Sequence, residues 1–127
     1  MRDNVEFIES LWDAFGRGDL EKVAGGVAAE GEIVFPDSVP WGGTYRGPDG
    51  FIEVIERLTS YFTDFKVKPG MILGADDDHV VVVANVTGRG KAGRLDMRAV
   101  WLYKVRDGQL TDAEFFGDTA QARDALS

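Results

Sequence analysis

Apolar residues near the start of the chain recur at the spacing of one helical face, at Val5, Ile8, Trp12 and Phe15. Asp3 and Glu6 add the spacing of a capping box. The pattern predicts a first helix that ends at residues 16–18, where two glycines flank an arginine. A second, shorter helix is predicted from Asp19, its N-cap, to Gly31.

The remaining pattern combines strands with one long helix. Residues 32–35 predict a strand, and residues 36–47 predict an irregular stretch because they hold two prolines and three glycines. A third helix is predicted from the Gly-Pro-Asp-Gly motif at residue 47 to residue 62, with its apolar residues on one stripe. Four β-branched or aromatic runs follow, at residues 65–73, 80–87, 95–105 and 109–117. A last short helix is predicted from Asp118.

This order of elements predicts an α+β fold with the helices gathered on one face of a curved sheet. Short polar or glycine-rich turns separate the last four strands, so they are expected to form an antiparallel meander. A sheet wrapped around three helices need not close completely. The expected gap is an apolar pocket between the first helix, the third helix and the concave face. No repeat or linker is visible, so residues 1–127 are predicted to form one domain.

Composition and charge exclude several classes of function. The chain has 22 acidic and 14 basic residues and a net charge of -8, which repels phosphate backbones and anionic lipids, so no nucleic-acid or membrane partner is predicted. It has no cysteine and one histidine, which excludes thiolate metal sites and a cysteine nucleophile. The longest apolar run, residues 80–86, is far below the roughly 20 residues that span a bilayer. A soluble, cytoplasmic protein is predicted.

Several motifs in the chain resemble those of one superfamily. They are Trp12-Asp13-Ala14-Phe15 with Gly18-Asp19-Leu20, the Gly47-Pro48-Asp49-Gly50 helix start, and residues 103–110 followed by Phe115-Phe116-Gly117-Asp118. On these motifs the chain resembles the NTF2-like superfamily, and within it the SnoaL-like group of polyketide cyclases and relatives of ketosteroid isomerase and limonene epoxide hydrolase. The resemblance implies a cone-shaped barrel with a deep apolar cavity, a homodimer through the outer sheet face, and no cofactor.

The resemblance also implies two candidate catalytic carboxylates. Asp118 stands where SnoaL-like and epoxide-hydrolase relatives keep a cavity carboxylate that exchanges a proton, although capping of the last helix equally explains an aspartate there. Asp37 lies close to the sequence position of the carboxylate base in ketosteroid-isomerase relatives. Phe35, Trp41 and Tyr45 are expected to provide an apolar environment that raises the proton affinity of its carboxyl group. The alternative for Asp37 is a loop aspartate that bonds its own backbone.

Two departures from the family argue against its best-known activities. Val100 lies near the sequence position at which ketosteroid isomerases have the acidic residue that donates a hydrogen bond to the oxyanion. The alkyl side chain of valine cannot donate a hydrogen bond. His79 and Val81 stand where epoxide hydrolases carry an arginine and an aspartate. His79 also follows three aspartates, but the run lacks the glycine and the distal glutamate of a calcium loop. An acidic hairpin turn is therefore predicted there, and no metal site.

Alternation along residues 95–105 divides their side chains between two faces of the sheet. Arg98 shares a face with Val100, and the resemblance turns that face toward the cavity, where Arg98 would orient Asp118 or bind an anionic group. A surface ion pair is the alternative for Arg98. Trp101 and Tyr103 would then lie on the outer face, where a second subunit would cover them. A homodimer is predicted.

The predicted pocket combines an aromatic wall with few polar groups. Tyr45 and Asn85 are candidates to contact a ligand oxygen, with structural hydrogen bonding as the alternative. Candidates for the wall, which ordinary core packing would also explain, are Trp12, Phe15, Phe35, Phe62 and Phe116. The predicted function is binding of a small, largely apolar carbonyl compound, with cofactor-free isomerase or cyclase activity through carboxylate acid–base chemistry. The alternative is a non-catalytic ligand-binding or dimerisation module.

Overall fold

The computed structural model describes residues 2–127, with side chains from Asp3 onward, and contains four helices and six strands in this range. The helices are α1 (Arg2–Gly16), α2 (Leu20–Gly25), α3 (Gly47–Tyr61) and α4 (Thr119–Asp124). The strands are β1 (Val27–Phe35), β2 (Gly43–Arg46), β3 (Thr63–Gly74), β4 (His79–Arg89), β5 (Arg94–Arg106) and β6 (Gln109–Phe116). None of these helices is both long and apolar enough to span a bilayer.

The six strands form one curved, unclosed sheet in the order β2-β1-β6-β5-β4-β3. Strands β3 to β6 form the predicted antiparallel meander. Strand β1 pairs in parallel with β6, which joins the first half of the chain to the meander. The predicted α+β class, with helices on one face of a curved and mostly antiparallel sheet, is confirmed.

Three local predictions were wrong. The second helix ends at Gly25, because two successive glycines favour a break over helix propagation, and β1 already begins at Val27. The stretch predicted to be irregular contains the four-residue edge strand β2, which pairs with the end of β1. Asp3 lies within the first turn of α1 and is not its N-cap, because the helix begins at Arg2.

Helices α1 and α3 cover the concave face of the sheet and bury Ile8, Val54 and Leu58 against it. The Asn4 side-chain amide donates to the carbonyl of Asp77 at 2.8 Å, which ties the start of α1 to the turn between β3 and β4. Gly47 starts α3 with φ +67°, and a Cβ there would lie 2.9 Å from the Ala29 carbonyl oxygen. Only glycine allows α3 to approach β1 this closely without strain.

The side chains of β5 face the sides of the sheet opposite to those predicted. Trp101 and Tyr103 point to the concave side with the buried Leu95, Met97, Ala99 and Val105, and Val100 and Arg98 lie on the convex side. The side-chain period in a strand is two, so an error of one position exchanges every side chain between the faces. The charges at Arg94, Asp96, Arg98 and Lys104 share a face with Val100, and this is the signal that identifies the outer face.

Candidate functional site

An apolar cavity of about 110 Å³ lies between the helices and the concave face of the sheet. Helices α1, α2 and α3 and strands β1, β3, β5 and β6 all contribute to its lining. Its wall consists of Ile, Leu, Val, Ala, Phe, Trp and Tyr side chains, and none of the described residues that line it carries a formal charge at neutral pH. Lining side chains on α1, α3 and β3 are only partly buried, so the cavity approaches the surface at Phe15, Phe51, Ile55, Phe65 and Val67.

One polar feature of this cavity lining is a hydrogen bond between α1 and β5. The indole N–H of Trp12 donates to the Tyr103 hydroxyl oxygen at 3.1 Å. Tyr103 is buried, and this burial raises the pKa of its hydroxyl above the ordinary tyrosine value, so the group stays protonated at neutral pH. The Trp12 and Trp101 rings pack edge to face with centroids 5.2 Å apart, which holds the indole in place.

The two candidate catalytic carboxylates lie outside the cavity lining. Asp37 is exposed in the loop between β1 and β2. Asp118 is exposed at the start of α4, where its side chain accepts a hydrogen bond from the backbone N–H of Gln121 at 3.0 Å. The predicted capping role of Asp118 is confirmed, and a proton-transfer role for either residue stays a prediction.

Substitutions at Asp118 separate its capping role from any other. We expect Asp118→Ala to lower the free energy of unfolding by about 1 kcal/mol and Asp118→Asn to change it by only a few tenths, because asparagine caps helices nearly as well as aspartate. Urea denaturation of the three proteins measures both changes. An equal loss in the two variants would mean that the charge of Asp118, and not its capping hydrogen bond, carries the stabilisation.

The six aromatic candidates on the concave side divide into two groups. Trp12, Phe15 and Phe35 line the cavity. Trp41, Tyr45 and Phe62 are buried but lie outside its lining. Trp41 packs against Tyr61 and Phe62 with ring centroids 5.7 and 5.5 Å apart. These rings fasten the loop after β1 to the end of α3.

A hydrogen-bond network occupies the polar atoms of Tyr45. Its hydroxyl donates to the Trp41 carbonyl at 2.7 Å and accepts from the Arg57 guanidinium at 2.7 Å. Arg57 also donates to the Pro40 carbonyl. The hydroxyl of Tyr45 therefore joins the loop to α3, which is the structural alternative considered for it. The buried indole N–H of Trp41 has no partner within the described part of the chain.

The other three candidates lie on the convex face, and their predicted placement in the pocket was wrong. Asn85 is exposed and donates to the Asp96 carboxylate at 3.1 Å. Arg98, opposite Asn85 in the adjacent strand, is also exposed. Phe116 is 48% exposed, whereas its neighbour Phe115 is buried beside Phe35 and Trp101. Each error follows from the exchanged faces of β5 and its neighbours, because paired residues on adjacent strands share a face.

The acidic turn between β3 and β4 holds its histidine through a local hydrogen bond. The Nδ1 atom of His79 lies 2.8 Å from the Asp76 carboxylate, and this hydrogen bond lowers the pKa of Asp76. The same carboxylate accepts the backbone N–H groups of Asp78 and His79. Across residues 2–127, no group of three or more potential ligands is arranged to hold a metal ion.

The convex face of the sheet carries an apolar patch that crosses four strands. Two cross-strand rows form it, and we refer to them together as the outer apolar face: Met71, Val83, Val100 and Phe116 in one row, and Leu73, Val81 and Leu102 in the other. Met71, Leu73 and Phe116 are 53%, 50% and 48% exposed, and the other four are partly buried. Contiguous exposed apolar surface of this kind is typical of interaction sites.

Comparison with known proteins identifies the family. The family model of the SnoaL-like domain matches residues 8–113 of the chain. The chain belongs to this family. No curated protein matches the sequence of this SnoaL-like domain significantly. The match of the family model confirms the predicted resemblance to the SnoaL-like group.

Solved structures repeat the fold of this SnoaL-like domain over nearly its whole length. An NTF2-like protein from Burkholderia thailandensis E264 has 22% identity and a TM-score of 0.91, covering 97% of this chain and 96% of that one. TerC, co-crystallised with polyporic acid, has 24% identity and a TM-score of 0.86 over 96% of each chain. A protein with a ketosteroid isomerase-like fold from Catenulispora acidiphila DSM 44928, in complex with trimethylamine, has 18% identity and a TM-score of 0.79, covering 96% and 94%. At these identities the likeness concerns the fold alone.

Sequence reasoning missed several residues that line the cavity of this SnoaL-like domain. Tyr103 and Trp101 were expected on the outer face, and Phe51, Ile55 and Phe65 were not singled out. A signal for the first pair was present, because they alternate in phase with the apolar Met97, Ala99 and Val105. The other three lie on the apolar stripe of α3 or at the start of β3, where ordinary core residues show the same pattern.

Proposed function

We propose that this SnoaL-like domain is a non-catalytic binding protein for a small, neutral, largely apolar molecule, held in the cavity between α1, α3 and the sheet. The observation that best supports this proposal is the uncharged lining of the cavity, in which every described wall residue is aliphatic or aromatic. Burial of apolar ligand surface there contributes about 25 cal/mol per Å² removed from water. Related folds with bound trimethylamine and polyporic acid support a small-molecule partner.

The volume of the cavity suggests a compound of about one ring. Its volume is about 110 Å³. An engineered protein cavity of about 150 Å³ with a Leu, Ile and Phe lining binds benzene or xenon. A molecule with several fused rings would have to extend out of the cavity toward the surface or move the packed helices apart. The first arrangement leaves apolar ligand surface in water, and packed interiors resist the second.

The placement of the carboxylates favours binding over acid–base catalysis. A proton carrier must lie within hydrogen-bond reach of the reacting group, directly or through one water. Asp37 and Asp118 are exposed and lie outside the lining, and the tyrosine that does line it stays protonated. For these reasons we favour the binding alternative over the isomerase or cyclase activity that the family resemblance implies.

A ligand series of increasing size tests the binding proposal. We expect benzaldehyde to quench the tryptophan fluorescence saturably, because Trp12 and Trp101 line the cavity. We expect anthraquinone, with three fused rings, to bind at least about 10-fold more weakly, a difference of about 1.4 kcal/mol. At 100-fold excess over its dissociation constant, the bound probe should stabilise the fold by about 2.7 kcal/mol in thermal denaturation. Absence of saturable quenching and of stabilisation by the one-ring probe would contradict the proposal.

We also propose that two copies of the chain pair through the outer apolar face. Trp101 and Tyr103 face the cavity and do not contribute to such an interface. The two rows that cross β3 to β6 would form it instead. A twofold axis would place the same rows of each copy against one another, as isologous interfaces require. Such pairing would remove three half-exposed large apolar side chains from water, Met71, Leu73 and Phe116.

A further inference from the structure

The polar atoms on the cavity lining are strongly biased toward hydrogen-bond donors. Among the described lining residues, only Trp12, Trp101 and Tyr103 carry a polar side-chain atom. An indole N–H donates and cannot accept, whereas a tyrosine hydroxyl does both. No carboxylate, amide or imidazole acceptor lies on the part of the wall that the structure describes. A ligand that makes a hydrogen bond in this cavity is therefore better matched if it brings the acceptor.

The Tyr103 hydroxyl has one hydrogen bond and one unused donor. Trp12 donates to it at 3.1 Å, so the hydroxyl oxygen must be the acceptor in that contact. Within the described part of the chain, the hydroxyl makes no other hydrogen bond. The contact with the indole occupies a lone pair of the oxygen and leaves the O–H hydrogen without an acceptor among residues 3–127. A buried donor without a partner loses free energy relative to one that is paired.

On the basis of the proposed ligand binding, we propose that the Tyr103 hydroxyl donates a hydrogen bond to a neutral acceptor oxygen of the ligand, such as a carbonyl. Trp12 is a positioning residue in this arrangement. Its indole N–H occupies one side of the hydroxyl oxygen, so the O–H bond of Tyr103 must point away from Trp12. The ligand class is thus a compound of about one ring with a neutral acceptor oxygen, and Tyr103 discriminates it from a hydrocarbon of the same shape.

The electrical neutrality of the wall separates this ligand class from anions. A carboxylate ligand would enter an uncharged cavity whose described lining offers only neutral donors, the Tyr103 hydroxyl and the Trp101 indole N–H, and no lysine, arginine or histidine. Burial of a charge without a partner is far more costly than burial of a carbonyl. The raised pKa of Tyr103 also keeps its donor present throughout the neutral range. The selected oxygen is therefore a neutral acceptor.

A pair of probes of similar shape tests the role of Tyr103. Acetophenone carries a carbonyl oxygen, and ethylbenzene is a hydrocarbon of closely similar size. We expect Tyr103→Phe to weaken acetophenone binding about 10-fold and to change ethylbenzene binding less than about 2-fold, because only the first probe loses a hydrogen bond. Tyr45→Phe is the matched control: it removes a buried hydroxyl outside the cavity lining and should leave the ratio of the two affinities unchanged.

The outcomes separate this proposal from the proposed function. If neither probe binds the wild-type protein, the binding function itself is wrong. If both bind and Tyr103→Phe affects them equally, the cavity binds ligands but Tyr103 does not select an acceptor. Infrared spectroscopy of carbonyl-labelled acetophenone on the wild-type protein gives a reading without any variant. We expect its stretching frequency to fall below the value in hexane, and an unchanged frequency would overturn the proposal even if Tyr103→Phe fails to fold.

Discussion

Val100→Glu should convert the proposed dimer of this SnoaL-like domain into monomers. Val100 lies in the row of the outer apolar face that runs from Met71 to Phe116, with paired neighbours on both adjacent strands. In a dimer built on this face, the introduced carboxylate would be buried without a partner, which costs several kcal/mol. We expect the dissociation constant to rise at least about 100-fold, which corresponds to about 2.7 kcal/mol.

Sedimentation equilibrium at micromolar concentration measures this change. Val100 is only partly buried in a single chain, so the carboxylate of the introduced glutamate can remain in water. The fold should therefore survive, which circular dichroism will show. Ser60→Glu is a matched control, since it adds the same charge at an exposed position on α3. A wild-type protein that sediments as a monomer, or a Val100→Glu variant that remains a dimer, would refute pairing through the outer apolar face.

Ala113→Leu should abolish ligand binding without unfolding the protein. Ala113 lies on β6, is 4% exposed, and lines the cavity. The larger side chain extends into a space of about 110 Å³ and takes up the volume that a one-ring ligand needs. Because it fills an existing cavity with apolar atoms, we expect its packing gain to offset the strain of a larger residue, with a net change in stability below about 1.5 kcal/mol.

Fluorescence titration with benzaldehyde measures the effect of Ala113→Leu. We expect saturable quenching to disappear while the thermal unfolding transition stays cooperative. Ala92→Leu makes the same substitution at an exposed position in the turn between β4 and β5, away from the cavity lining, and should bind the probe as the wild type does. Wild-type affinity in Ala113→Leu would place the binding site elsewhere on the molecule.

Local patterns in the sequence were sufficient to identify most elements of this fold. The apolar spacing of α1 and α3, the glycine and proline at the start of α3, and the short turns of the meander depend on interactions between residues close in the chain. Asp118 capped α4 as its spacing to Gln121 predicted, because the capping hydrogen bond spans only three residues. Of the misjudged elements, the start of β1 is held by pairing with the distant strand β6. The edge strand β2 pairs with the end of β1 across a loop whose sequence lacks a recognisable tight hairpin turn.

The faces of β5 show how a correct pattern led to a wrong assignment. Alternation correctly separates Arg98 and Val100 from Trp101 and Tyr103, but the family position of Val100 indicates the wrong face as the inner one. The charges that share a face with Val100 favour the opposite choice, since sheet faces that carry several charges are directed to water. Local composition was a better guide here than positional analogy with a distant relative, because one step of register exchanges the faces.

The sequence by itself determined the class of fold, the family and the apolar character of the interior, because these depend on composition and on short-range periodicity. Only the tertiary structure decided which side chains meet at the cavity. Trp12 and Tyr103 are 91 positions apart and come into contact because α1 packs across the strand that carries the tyrosine. Asp37 and Asp118 remain in water because the chain leaves the sheet at their positions. Such placements result from the packing of many distant residues, so no local pattern specifies them.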